Sequence, residues 1–386
     1  MTQNWYLIFA MLLLEAFLVS AVLTAVVRRA ALKWEIVDHP GERKIHVTPV
    51  PLLGGVAIYL TVNLVILGDL LGLEVIRGGG FDWIETNVLS FLGEDAQQQL
   101  VGISAGAFLI FVLGIVDDLK ALSPELKLVG QIVAALVLVL SGMRLDVFIS
   151  YWLEQFPPTS GIEGPLRGYI NVGVSGAITI FWVVMMTNSL NFLDNMDGLC
   201  GGVSVIAALS FFLICFARDE FFLCAMLVVF AGAVSGFLYH NLSPARIFMG
   251  DAGAMFCGYI LATVALLGTY YTGESSSRLA VAAPLLALSV PIFDTLSVVW
   301  IRWRRGESIM KGDKRHFSHR LVELGMKPRE AVEFIFLVAG VTGLGAALLP
   351  RVGPVGTLII LAQAAGLFLL IVLLMRAAQR KDRPSS

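Results

Sequence analysis

Long apolar runs alternate with short polar segments along almost the whole chain. Runs near 5–27, 52–72, 99–116, 127–142, 176–193, 199–217, 220–240, 252–272, 279–301, 331–350 and 354–375 each approach the roughly 20 apolar residues that a helix needs to cross hydrocarbon. The pattern predicts an all-α polytopic membrane protein of about 11 transmembrane helices, or 10 if the short run at 127–142 does not cross. The first run has no basic leader and no small-residue cleavage site, so it is expected to persist as a helix. No internal repeat of the kind found in many secondary transporters is visible. Residues 1–386 therefore read as a single integral membrane domain.

The segments between the runs differ sharply in charge. Of the 27 Lys and Arg, 21 fall in 28–51, 117–127, 241–251, 302–330 and 376–386, and 6 in the alternate set 73–98, 143–175, 218–219, 273–278 and 351–353. Basic residues accumulate on the cytoplasmic side of membrane proteins. This predicts an N-terminus outside, a C-terminus in the cytoplasm, and active-site segments 28–51, 117–127, 194–199, 241–251 and 302–330 on the cytoplasmic face of a plasma (inner) membrane. The outer segments 73–98 and 143–175 read as irregular connections, and Arg376–Ser386 as a disordered basic tail.

Composition agrees. The chain is 57% hydrophobic and 15% charged, with a mean hydropathy of +0.82, whereas soluble domains carry about 25% charge. The net charge of −2 gives no reason to expect nucleic acid. Cys200, Cys215, Cys224 and Cys257 lie in or beside apolar runs without a CxxC pair, which argues for buried small hydrophobes over a disulfide or zinc framework.

The polar motifs all fall on the basic side. The densest is Asn188-Ser189-Leu190-Asn191-Phe192-Leu193-Asp194-Asn195-Met196-Asp197-Gly198. Its spacing places Asn188, Asn191 and Asp194 on neighbouring turns of a helix end, and Gly198 lets the backbone turn away. A polar helix cap would explain one such residue, not four. Arg43-Lys44-Ile45-His46 precedes Pro49, Pro51, Gly54 and Gly55 and can hold phosphate, although an ordinary basic loop reads the same way. Asp117-Asp118 ends a run, with Lys127 starting the next; adjacent carboxylates invite a cation, while the bland alternative is an acidic helix end with a snorkelling lysine. Asn241 leads to Pro244-Ala245-Arg246-Ile247-Phe248-Met249-Gly250-Asp251, in which small neighbours leave Asp251 open to a metal and Phe248 can stack on a base or simply pack. Asp294, inside an apolar run, is either functional or paired with Arg302 or another cation. Arg315, His316, His319 and Arg320 suit a polyanion such as a diphosphate, and His316 with His319 can also be read as a metal pair.

Together these groups fit phosphoryl transfer at a membrane surface. Mg²⁺ (or Mn²⁺) would sit on the oxygen ligands, with positioning and charge neutralisation supplying most of the catalysis. No P-loop or kinase Gly-rich loop is present.

The motifs RKIH, DDLKALSPELKL, NSLNFLDNMDGL, NLSPARIFMGDAG, PIFDT and DKRHFSHRL occur in an order that resembles the polyprenyl-phosphate N-acetylhexosamine-1-phosphate transferases, the MraY/WecA-type enzymes of glycosyltransferase family 4, over about residues 38 to 325. The number of runs is similar to the branch that transfers N-acetylglucosamine-1-phosphate to undecaprenyl phosphate at the start of lipopolysaccharide, teichoic acid or capsule synthesis. The resemblance implies that Asn191 and Asp251 bind Mg²⁺ and that Lys127 contacts the diphosphate. It also implies that Asp197 and Phe248 line a uracil pocket and that Asp117 and Asp118 serve the lipid phosphate. Asp194 matches an acid of contested role, and Arg315–Arg320 matches a sugar- and phosphate-recognition loop, with Lys44, His46, Asn188 and Asn241 as further substrate contacts.

Two positions depart from the family pattern. Ser318 stands where the motif His-x-His-His has its second histidine, and Asn195 replaces a common glycine between two acids. The expected reaction transfers a sugar-1-phosphate from a UDP-N-acetylhexosamine to a polyprenyl phosphate, releasing UMP, either directly or through a covalent aspartate. The rivals are a phospho-N-acetylmuramoyl-pentapeptide transferase, a cation-coupled transporter and a lipid scaffold. Substrates and membrane lipid are the expected partners, with a homodimer left open.

Overall fold

Among the described residues, each predicted run is mainly helical. The computed structural model describes residues 2–39, 49–76, 94–145, 165–268, 278–308 and 315–381. The first helices are α1 (Thr2–Lys33), α2 (Gly54–Ile76), α3 (Glu94–Lys120) and α4 (Pro124–Leu140). α5 (Pro165–Leu193), α6 (Leu199–Phe216), α7 (Phe221–Asn241) and α8 (Gly250–Leu267) follow. The chain closes with the short α9 (Ala283–Ala287), then α10 (Ser289–Arg305), α11 (Phe317–Glu323), α12 (Pro328–Leu348) and α13 (Pro354–Lys381). A two-residue hairpin, β1 (Val37–Asp38) against β2 (Val50–Pro51), pairs antiparallel with Val37 opposite Pro51. Among the described residues this is the only sheet.

Nine of the described helices are long and apolar enough to cross a membrane, and the segments Ala280–Ala287 and Ser289–Arg305, bent by 71° at their junction, make a tenth if the pair is one broken span rather than a re-entrant loop. The run at 127–142 is the helix α4, of 17 residues and about 25 Å long. It is not among those nine. The end of α3, the start of α4, the end of α5 and the start of α8 meet at one place, through Lys127, Asp117, Asn191 and Asp251. The chain must therefore leave that end along α4 and return along α5. Ser123 caps α4, accepting from Leu126 N at 3.3 Å, with Pro124 in the first turn.

The core is concentrated in the middle of the bundle. α8 packs on α2, α3, α5 and α6, and α7 packs on α1, α2 and α6. The apolar windows of α7 and α8 are both 78% buried within the protein, against 22% for α1 and 11% for α13, so the outer helices face lipid. All four cysteines are buried and free, as their apolar setting predicts. The basic tail differs from expectation: α13 continues through Lys381, because Arg, Ala, Gln and Lys are good helix formers. Most of the outer segments 73–98 and 143–175 lie outside the described residues, as do Lys44 and His46.

Candidate active site

Four helix ends converge on one cluster of charge. Lys127, from the first turn of α4, makes ion pairs with Asp117 on α3 and with Asp251 Oδ2 on α8, the latter at 3.1 Å. Asn191, in the last turn of α5, donates from Nδ2 to Asp251 Oδ1 at 2.5 Å. Asp251 is thus held by two side chains while a third of its own side chain stays exposed (34%). Asp117 is buried and also accepts from Leu122 N at 2.7 Å, which fixes the turn leading to Lys127.

Asp118 does a different job from its neighbour. Its Oδ1 accepts from Asp251 N at 2.7 Å and its Oδ2 from Ala252 N at 3.2 Å, so it caps the N-terminus of α8. Gly250 makes this fit possible. Its φ is +73°, and a Cβ there would lie 2.7 Å from an Asp118 carboxylate oxygen. The pair Asp117-Asp118 therefore splits into one residue that faces the cation cluster and one that positions Asp251.

The turn after α5 carries Asp194, Asn195 and Asp197. The Asp194 carboxyl is pushed up to about 8, first by desolvation and then by repulsion from Asp251, Asp118 and Asp197. Asp197 accepts from Ala245 N at 3.0 Å, so this turn and segment 245–249 are bonded together. Gly198 turns the chain at φ +75° into α6. Asn241, expected as a substrate contact, is buried instead, with both ends of its amide engaged by the chain: it accepts from Gly198 N at 3.0 Å and donates to Ile247 O at 2.8 Å. Segment 245–249 is in turn stitched to β2 and α2: Phe248 N donates to Pro51 O at 2.8 Å, and Gly54 N to Phe248 O at 2.9 Å. Phe248 itself is partly buried. Asn188 also points inward. It forms a reciprocal amide pair with Gln131 on α4, at 2.6 and 3.3 Å.

The basic segment is organised around Asp294, which is fully buried. Its Oδ2 lies 2.8 Å from His316 Nδ1 and its Oδ1 accepts from Phe317 N at 2.6 Å. The partner of this intramembrane acid is thus His316, and the histidine's Nδ1 is turned away from any metal pair with His319. Ser318 donates to Asn195 Oδ1 at 2.5 Å, and Arg320 to Ser297 Oγ at 2.5 Å. Arg315 forms a two-pronged ion pair with Glu307, and His319 is partly buried on the next turn. Thr295 donates to Ser189 Oγ at 2.9 Å, joining α10 to α5.

The two halves therefore meet at the turn after α5. Sequence reasoning does not point to Gln131, Ser189, Thr295 or Ser297. A signal exists for Gln131 alone, a polar residue four positions after Lys127 on the same face of an apolar helix.

Among the described residues no three His, Cys, Asp or Glu side chains close a metal cage. The donors near Asp251 are oxygens, and they are few. Such a set suits Mg²⁺, which takes one or two carboxylates and completes its shell with water and substrate phosphate.

The model of glycosyl transferase family 4 matches residues 100–269. A protein of Bacillus subtilis described as a probable undecaprenyl-phosphate N-acetylglucosaminyl 1-phosphate transferase is 31% identical over 338 residues, spanning 86% of this chain and 84% of its own. A decaprenyl-phosphate N-acetylglucosaminephosphotransferase of Mycolicibacterium smegmatis is 33% identical over 351 residues, spanning 86% and 80%. One of Mycobacterium tuberculosis is 32% identical over 389 residues, spanning 96% and 90%.

Proposed function

Because this chain belongs to glycosyl transferase family 4 and is a multi-pass membrane enzyme, we propose that it transfers N-acetylglucosamine-1-phosphate from UDP-N-acetylglucosamine to a polyprenyl phosphate such as undecaprenyl phosphate, releasing UMP. The reaction would run at the cytoplasmic face of the plasma membrane, the side that the distribution of Lys and Arg favours. The observation that carries this reading is the convergence of Asp117, Lys127, Asn191 and Asp251 from four helix ends. The names of the relatives supply the sugar and the lipid class.

Asn191 and Asp251 would hold Mg²⁺, with Asp117 adding negative charge nearby and Asp194 adding it once its raised carboxyl is deprotonated. Bound there, the ion would supply charge neutralisation to the diphosphate. Lys127 pairs with both carboxylates, and its ammonium would pass from them to the substrate phosphate. Asp118 keeps Asp251 in place through the backbone of α8. Asp197 and Phe248 would receive the nucleotide, and His319 and Arg320 the sugar phosphate. In the direct route a lipid phosphate oxygen attacks the β-phosphorus, forming the new P–O–P link. The bond to the α-phosphate oxygen breaks, and UMP leaves with the electron pair.

An exchange assay tests this. Purified protein with undecaprenyl phosphate should release UMP from UDP-N-acetylglucosamine when Mg²⁺ is present and stop when it is chelated. No release from any UDP-N-acetylhexosamine would overturn the reading.

A further inference from the structure

The two positions at which this chain departs from the motifs of the family it resembles, Asn195 and Ser318, are bonded to each other. Ser318 is fully buried, and its hydroxyl donates to Asn195 Oδ1 at 2.5 Å across 123 residues of sequence. The other end of the Asn195 amide donates to Phe192 O at 2.7 Å, so the acceptor is held in place by its own turn. A glycine at 195 would have no group to accept this bond, and a histidine at 318 would need more room than a fully buried serine leaves. The two departures therefore belong together.

The bond also joins two parts that are otherwise anchored separately. His316 and Phe317 are tied to Asp294, and Arg320 to Ser297, all on α10. Ser318 reaches instead to the turn that carries Asp194 and Asp197. The ring of Phe192, from the end of α5, lies 6.0 Å from that of His316, so loop and turn touch at a second point.

We propose that Asn195 and Ser318 are a positioning pair that sets the distance between the carboxylate turn and the histidine loop, so that a UDP-sugar is held by both at once. This rests on the transfer reading above, in which the nucleotide lies on the turn and the sugar phosphate on the loop. A neutral hydrogen bond of ordinary strength corresponds to about a three- to tenfold effect on affinity.

The test is a double-mutant cycle on the full chain in lipid nanodiscs, reading the dissociation constants of UDP-N-acetylglucosamine and of UMP for wild type, S318A, N195A and the double variant. Each single substitution should weaken UDP-N-acetylglucosamine about fivefold, and the double variant should be no weaker than either. UMP, which needs only the turn, should bind all four proteins within about twofold. Retained UMP binding also reports that the variants fold. The proposal is overturned if the donor binds S318A as tightly as wild type, if the two effects multiply, or if UMP weakens in step with the donor. A wild type that binds the donor, shows this pattern and yet releases no UMP would sink the transfer reading and leave the pair standing.

Discussion

Asp251 and Asp294 are both aspartates on helices of the same bundle, and their surroundings separate them. Asp251 keeps a third of its side chain exposed (34%) and is flanked by an ammonium and an amide that a substrate or a cation can displace. Asp294 is fully buried, and its two oxygens are occupied by a histidine ring and a backbone N–H of the loop beside it. One acid stays partly exposed at the cluster of charge, and the other fixes His316 and Phe317 at the start of α11. An acid inside a membrane helix is costly in either place, so its presence alone does not say which job it has. The partners do.

Substitutions should separate the two jobs. Asp251→Asn removes the charge at the open end, and on the proposed reading, in which this carboxylate holds a charge-neutralising ion, UMP release should fall by about a thousandfold. Size-exclusion chromatography should show an unchanged fold. Turnover within tenfold of wild type would mean that the carboxylate is not needed, as a lipid scaffold would predict.

Asp294→Asn is milder. The amide oxygen can still accept from Phe317 N, but the charge opposite His316 is gone. Turnover should drop by about ten- to a hundredfold, in the range of outer partners that orient a functional group, with UMP affinity preserved. A loss as deep as that of Asp251→Asn would erase the distinction between the two acids.

The smallest effect is one of pH. The Asp194 carboxyl, raised to about 8, holds its proton below that value and loses it above. Raising pH from about 6.5 to about 8.5 therefore adds negative charge next to Asp251 and should lower the Mg²⁺ concentration needed for half-maximal UMP release several-fold, since a cation binds the deprotonated site more tightly. Asp194→Asn should flatten this dependence. A Mg²⁺ requirement independent of pH in the wild type would remove Asp194 from the cation site.

The open half of the site was more legible than the closed half. Asp117, Lys127, Asn191 and Asp251 stand at the ends of apolar runs, where a charge is conspicuous, and the alternation of basic segments places those ends on one side. The long apolar helices were legible for the same reason, although the short run that becomes α4 is not among the nine that can cross a membrane. The closed half relies on hydroxyls and amides such as Ser297, Ser318 and Asn195. These are ordinary loop and helix residues, and their partners lie 23 or 123 positions away. No local pattern encodes such a pairing. Asn188 and Asn241 carry bonds of the same hidden kind: each joins two segments of the chain through its amide, a pairing that their polarity alone does not reveal.

The burial of α8 has a consequence for the bilayer. A change in hydrocarbon thickness acts on a bundle through the helices that touch lipid, by tilting or stretching them against the mismatch. Here those are chiefly α1 and α13, with 22% and 11% of their apolar windows buried, while α8 is 78% buried and carries Asp251. Asp251 is therefore suspended from one of the two described helices least coupled to the lipid, and α1 and α13 can tilt with the membrane while the start of α8 keeps its place.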